Sequence, residues 1–429
     1  MNKEILRLAI PNILSNISVP LLSSFDTALM GRLSADHLGA VGLGSMIFNF
    51  VYWNFGFLRM GSTGMTAQAY GRENRAEMGT VLGQAALVAV SLALLLLIVQ
   101  SPLLHASQSL LKVSVDQQPL VGTYFSIRIW AAPAALGMYA LMGWYFGMQN
   151  AIYPLILTIV INVVNMLISY LLVWHYEWGI AGVAWGTVIA QYVGVLVGIA
   201  LLLKRYSWIK DSIQSKVLLQ WDALIRFLRI NGDIFLRTLC LTLAFAFFYR
   251  QSAGLGDLIL ATNVILLQYV NWMSYGVDGF AFAAESLVGK YYGARQPEQR
   301  KRAIWLSFVW GMALAALYAL LYGLAGTGLL RIFTDQQEII TAALPYLPWM
   351  IIFPLLGTPC YIWDGVYVGI TASRAMRNTM VIAFAAYLAL YYGYGAQMAN
   401  HGLWLSLTLF MVFRGLVQWW WYWRGKVID

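Results

Sequence analysis

Twelve stretches of mostly apolar residues follow one another along this chain, and its charges fall almost entirely in the gaps between them. The stretches lie near residues 9–30, 40–68, 80–104, 122–148, 153–174, 179–203, 228–252, 258–289, 303–330, 344–370, 378–397 and 402–423. A helix needs about 20 mostly apolar residues to cross a bilayer. The pattern predicts an all-α polytopic membrane protein with twelve transmembrane helices. The 429 residues are 60% apolar, enough for that many spans, and only 10% are charged. A soluble domain carries about 25%, so a water-soluble globular protein is excluded.

The net charge of +9 does not point to nucleic acid, and no nucleic-acid partner is expected. In a membrane protein a basic excess marks cytoplasmic loops that meet anionic lipid. Nineteen lysines and arginines, from Lys3 and Arg7 to Arg424 and Lys426, fall on one side of the expected spans, against four on the other (Arg32, Lys112, Arg250, Arg331). That split places both termini in the cytoplasm and the protein in the cell membrane. The run Trp419–Trp423 before Arg424 reads as an interfacial anchor. The N-terminus reads as the first span and not as a cleaved signal, because Pro11 and Asn12 interrupt it early and no small-residue cleavage site follows. Cys240 and Cys360 sit in apolar runs and read as core residues. His37, His105, His175 and His401 all fall in loops or at span ends, which argues against a membrane-embedded enzyme; no catalytic residue and no cofactor are expected.

The two halves match each other at an offset of 222 residues. Tyr70-Gly71 corresponds to Tyr292-Gly293, Tyr124 to Tyr346, and Gly143-Trp-Tyr-Phe-Gly147 to Gly365-Val-Tyr-Val-Gly369. Each half then holds six spans in the same orientation, as in transporters built from parallel repeats. The expected organisation is two pseudo-symmetric six-helix lobes, 1–203 and 229–429, joined by a partly amphipathic cytoplasmic linker, 204–228.

An ionisable residue within a span is costly and is by default a functional hypothesis. In the first half the clear acid is Asp26, about 25 Å from the cytoplasmic end at about 1.5 Å per residue. Pro11 and Pro20 lie on the same span and favour a bend. Asn165 and Ser169 share a helix face on span five, and Thr187 on span six reaches a similar depth. One carboxylate, one amide and two hydroxyls suit a small cation, and a lone buried carboxylate suits a proton. In the second half Asp278, Asp364, Arg237 and Arg414 come to one level and form a C-lobe polar cluster, either a structural ion-pair network or a wall of the substrate path. Asp233 and Glu285, nearer the span ends, are expected to be solvated, and Arg59 and Arg128 to snorkel.

Together these features resemble the multidrug and toxic compound extrusion (MATE) transporters, and within them the DinF-like branch. Pro11 and Asp26 match the family's proline and essential acid at the same spacing. Asn165-Met-Leu-Ile-Ser169 and Gly179-Ile-Ala-Gly-Val-Ala-Trp-Gly-Thr187 resemble its stretches in spans five and six, and Asp278-Gly-Phe-Ala and Trp363-Asp364-Gly-Val-Tyr-Val-Gly369 resemble that branch. The resemblance implies a monomeric antiporter that exports amphipathic, often cationic organic compounds by alternating access. Ser169 stands where many relatives carry a second acid that helps to hold sodium. Proton coupling is therefore expected, with sodium at Asp26, Asn165 and Thr187 as the lesser alternative. A lipid-linked saccharide flippase of the broader superfamily is the alternative function, disfavoured because the second-half arginines are matched by acids.

Overall fold

The computed structural model describes the chain except residues 32–34, 213–220, 426 and 428–429; side chains at 19, 21–24, 26–28, 30–31 and 35–36 also lie outside the described set. Among the described residues all regular structure is helical. The first half contains α1 (Asn2–Gly31), α2 (Ala35–Phe55), α3 (Phe57–Gly71), α4 (Arg75–Ile98), α5 (Gln100–Leu110), α6 (Gln118–Arg128), α7 (Ala132–Gly147), α8 (Ile152–Tyr170), α9 (Gly179–Arg205) and α10 (Ile209–Ser212). The second contains α11 (Trp221–Gly254), α12 (Asp257–Gly293), α13 (Pro297–Phe333), α14 (Gln337–Ala343), α15 (Leu347–Gly369), α16 (Ser373–Gly393) and α17 (Ala399–Trp423). Among the described residues nine segments are long and apolar enough to cross a membrane. Beyond these, α1, α12 and α16 run 30, 37 and 21 residues.

The chain divides by its internal contacts into two compact units, Leu14–Leu228 and Met1–Ile13 with Arg229–Asp429. The internal repeat reappears in the backbone of each. Helix α3 ends with Glu73 in the left-handed region (φ 57°) and α12 ends with Arg295 there (φ 55°); α7 ends at Gln149 (φ 61°) and α15 at Thr371 (φ 56°). All four ends use the same closing bonds. The Asn74 amide donates to the Ala69 carbonyl and that of Gln296 to Tyr291, while Asn150 donates to Tyr145 and Ala372 to Tyr367. These are Schellman closures, which satisfy the last carbonyls of a helix.

Side-chain packing repeats as well. A methyl group on Gly143 would collide with the Arg59 carbonyl of α3, and one on Gly365 would collide with the Ala281 carbonyl of α12. A methyl group on Gly369 would come within 2.7 Å of the Glu285 carbonyl. In lipid, helix association relies on close van der Waals contact between small residues, and these glycines allow α7 to lie on α3 and α15 on α12. The buried Tyr145 hydroxyl donates to the Gly198 carbonyl of α9 at 2.7 Å, and Tyr367 does the same to Gln418 of α17 at 2.7 Å. Gly365→Val is expected to drive its side chain into the α12 backbone. Overpacking of a tight core costs about 1–3 kcal/mol, and backbone cannot yield as a side chain can. A thermal melt in detergent should fall well below wild type, and an unchanged midpoint would contradict this packing.

In the first unit, α10 folds back onto α4. Ile209 is buried, Ser212 abuts Gly79, and the Arg75 guanidinium lies 5.5 Å from the Trp208 ring centroid. Trp144, Tyr145, Tyr153, Tyr206 and Trp208 form an aromatic cluster there, with Trp144 edge-on to Tyr206 at 5.0 Å. In the second unit, the first 13 residues of α1 pack on α12. Gly279 sits against Ala9 and Ile13, and Glu4 reaches Lys290 at 3.4 Å and the Tyr291 hydroxyl at 3.4 Å. Burial raises the Glu4 carboxyl, but Lys290 and the chain's amino terminus outweigh it and hold it below the usual carboxylate range.

Candidate ion-coupling and charged sites

In the first unit, two pairs of polar contacts set α1 beside α8. Ser15 and Thr158 share a hydroxyl–hydroxyl bond of 2.8 Å, and the Asn162 amide donates to the Ser18 hydroxyl at 3.1 Å. Thr158, Asn162, Asn165 and Ser169 follow at intervals of three or four, so they form one polar stripe on an otherwise apolar helix.

Asn165 and Ser169 are almost fully buried, at 1% and 0% exposure. The Asn165 amide nitrogen donates to the Thr187 hydroxyl at 3.0 Å, and that hydroxyl donates in turn to the Val183 carbonyl at 3.1 Å. Two oxygens of this group, Asn165 Oδ1 and Ser169 Oγ, are buried without a hydrogen-bond partner. An unmet buried polar group costs about 1–3 kcal/mol; the amide oxygen can accept a bond, and the hydroxyl can give or accept one. Ser169 is pressed against Gly186 of α9, where any larger residue would collide with its hydroxyl. The structure thus brings Asn165, Ser169 and Thr187 together. The Asp26 side chain lies outside the described residues, although its helix is described. Pro11 and Pro20 both lie within the continuous run of α1, where each removes one backbone donor.

In the second unit, Asp364 of α15 accepts on Oδ2 from Nη2 of Arg237 (α11) and from Nη2 of Arg414 (α17). Its other oxygen accepts from the Gln418 side-chain amide at 2.7 Å. All four residues are buried, with Arg414 and Gln418 at 1% exposure. Asp278 on α12 is half-buried and acts electrostatically on Arg237 and Tyr361. The cluster therefore centres on Asp364. Gln418 was not expected here; the signal available was its place four residues after Arg414, on the same helix face.

Two expectations are corrected. Asp233 is buried, not solvated: it accepts from the Arg377 guanidinium at 2.6 Å and the Ser373 hydroxyl at 2.9 Å. Glu285 is also buried, at 1% exposure. Position along a span located both acids near a helix end, but their neighbours come from helices distant in sequence. The Arg128 guanidinium bonds the Tyr124 hydroxyl and lies 5.2 Å from the Phe48 ring centroid.

These features agree with comparisons to known proteins. A sequence model of the MatE family matches the chain twice, over residues 11–171 and 234–394. The DNA damage-inducible protein F of Escherichia coli is 35% identical over 97% of this chain and 90% of its own length. The human multidrug and toxin extrusion protein 1 is 26% identical over 96% of this chain and 73% of its own. Among solved structures, a MATE protein in a bent conformation superposes with a TM-score of 0.89 at 16% identity, covering 99% of this chain and 95% of that one. A Vibrio cholerae MATE transporter superposes at 0.86 with 19% identity, covering 100% and 97%. The double match of one family model is the internal repeat seen from outside, and with the helical spans it establishes that the chain belongs to the MATE family, a multi-pass membrane transporter and not an enzyme.

Proposed function

We propose that this transporter is a secondary antiporter that exports amphipathic, often cationic organic compounds in exchange for protons. Twelve spans in two six-helix lobes (1–203 and 229–429, joined by 204–228), both termini cytoplasmic, alternate access to a central path, and Asp26 is the coupling carboxylate. One observation carries this reading: the register of α1 against α8. The contacting pairs Ser15–Thr158 and Ser18–Asn162 are separated by 143 and 144 residues. Continued along two parallel helices, that register supports a position for Asp26 level with Ser169 and its unmet oxygen. A carboxylate at that level shares a proton among an amide oxygen and hydroxyls, with no second acid to complete a sodium shell. Sodium, held by Asp26, Asn165 and Thr187, is the lesser alternative.

The physical mechanism is competition. Protonated and ionised Asp26 favour different packings of a proline-bearing helix, and substrate favours one of them. A coupling ion shifts that balance only by its differential affinity for the two states. A difference of two pKa units between the states moves the equilibrium about a hundredfold. Adding tetraphenylphosphonium to the purified chain in weakly buffered solution is therefore expected to release protons, with or without sodium. Ser169→Asp should make that release depend on sodium. Binding without proton release from the wild type would defeat the proposed exchange, and sodium indifference in Ser169→Asp would defeat the account of ion choice.

A further inference from the structure

The cluster around Asp364 holds hydrogen-bond donors that cation export does not use. In direct contact, two guanidiniums share one carboxylate, and both bond the same oxygen. With the half-buried Asp278 ionised as well, two acids cancel two arginines, so net charge attracts neither cation nor anion and the choice of ligand falls to the hydrogen-bond donors. Donors are in surplus. Nε of Arg237 and Nε of Arg414 are both buried without an acceptor, and guanidinium forks match carboxylates in geometry as well as charge. Arg414 is 1% exposed and Arg237 8%, so Arg237 is the less deeply buried of the pair. The surroundings are aromatic: the Arg414 guanidinium lies 5.9 Å from the Tyr361 ring centroid and 6.0 Å from that of Phe410. Asp364 itself shows two guanidiniums, through one Nη2 each, and the Gln418 amide holding a carboxylate at this spot.

We propose that the Arg237–Arg414 pair is a docking point for the carboxylate of an amphipathic organic acid. The acid shares the guanidiniums with Asp364, Arg237 makes the first contact, and the apolar part lies against the neighbouring aromatic side chains. This inference rests on the transporter reading above and widens its substrates to organic anions.

Calorimetric titration of the full purified chain with 2-naphthoate and with tetraphenylphosphonium tests it. The wild type is expected to bind 2-naphthoate. A hydrogen-bonded charge is worth about tenfold or more in affinity. Arg237→Gln should therefore lower the ratio of anion to cation affinity by at least about tenfold, while Asp278→Asn should raise that ratio. A purely structural cluster would weaken both probes in parallel and leave the ratio unchanged in both variants, which overturns the proposal; so does a wild type that does not bind 2-naphthoate. If Arg237→Gln does not melt cooperatively, Asp278→Asn decides alone, since its half-buried site tolerates the isosteric amide. Export assays separate the two readings: proton-driven export with an unmoved ratio removes only the anion site, and a shifting ratio without proton-driven export removes only the coupling.

Discussion

Asp26→Asn is expected to yield a folded protein that has lost gradient-driven export. The amide keeps the size and hydrogen-bonding capacity of the carboxyl but cannot exchange a proton between pH 5 and 9. Both conformations then bind the coupling proton equally, namely not at all, and a ligand with no differential affinity shifts nothing. If the carboxyl's proton affinity differs between states by two pKa units, export against a gradient falls about a hundredfold. Substrate affinity should change much less, because binding in either state persists. Efflux from loaded proteoliposomes after a pH jump reads the first quantity and equilibrium binding the second. Wild-type efflux from Asp26→Asn would move the coupling site elsewhere, and the buried Glu285 would be the next acid to examine.

Asp364→Asn is expected to be the most destabilising conservative change in the second unit. It removes the Asp364 carboxylate that both Arg237 and Arg414 contact, leaving two buried guanidiniums facing each other. Breaking a buried ion pair from one side costs about 3–5 kcal/mol, whereas replacing the whole group with apolar residues of similar volume is often near neutral. The pair of experiments is therefore Asp364→Asn against the triple change Arg237→Met, Asp364→Leu and Arg414→Met. The single variant should melt far lower or be recovered in poor yield, and the triple variant should regain much of the loss. A single variant as stable as wild type would mean that Asp278 balances both arginines unaided.

Much of this arrangement was legible in the sequence, for identifiable reasons. Span positions were readable because charge is excluded from hydrocarbon: the stretch expected at 153–174 is Ile152–His175, and that at 179–203 is Gly179–Arg205. The repeat was readable because glycines at helix crossings cannot be replaced; Gly143 and Gly365 mark the same close approach in each half. The group Asn165, Ser169 and Thr187 was found by counting rise along two adjacent helices. Counting failed where a partner comes from far away. Asp233 appeared solvated because Arg377 and Ser373, which bury and neutralise it, lie 144 and 140 residues onward. The same limit hid the Ser15–Thr158 and Ser18–Asn162 contacts, since small hydroxyls on apolar helices carry no sequence signal of their partner. Residues 213–220 of the expected linker and the Asp26 side chain lie outside the described residues.

The most direct test of proton exchange is the wild-type chain in liposomes loaded with an organic cation, under proton and sodium gradients imposed separately. A proton gradient alone, directed inward so that proton entry is exchanged for cation exit, should drive export above the passive leak, and a sodium gradient alone should not. Export driven by sodium at uniform pH, with no response to protons, would contradict the account.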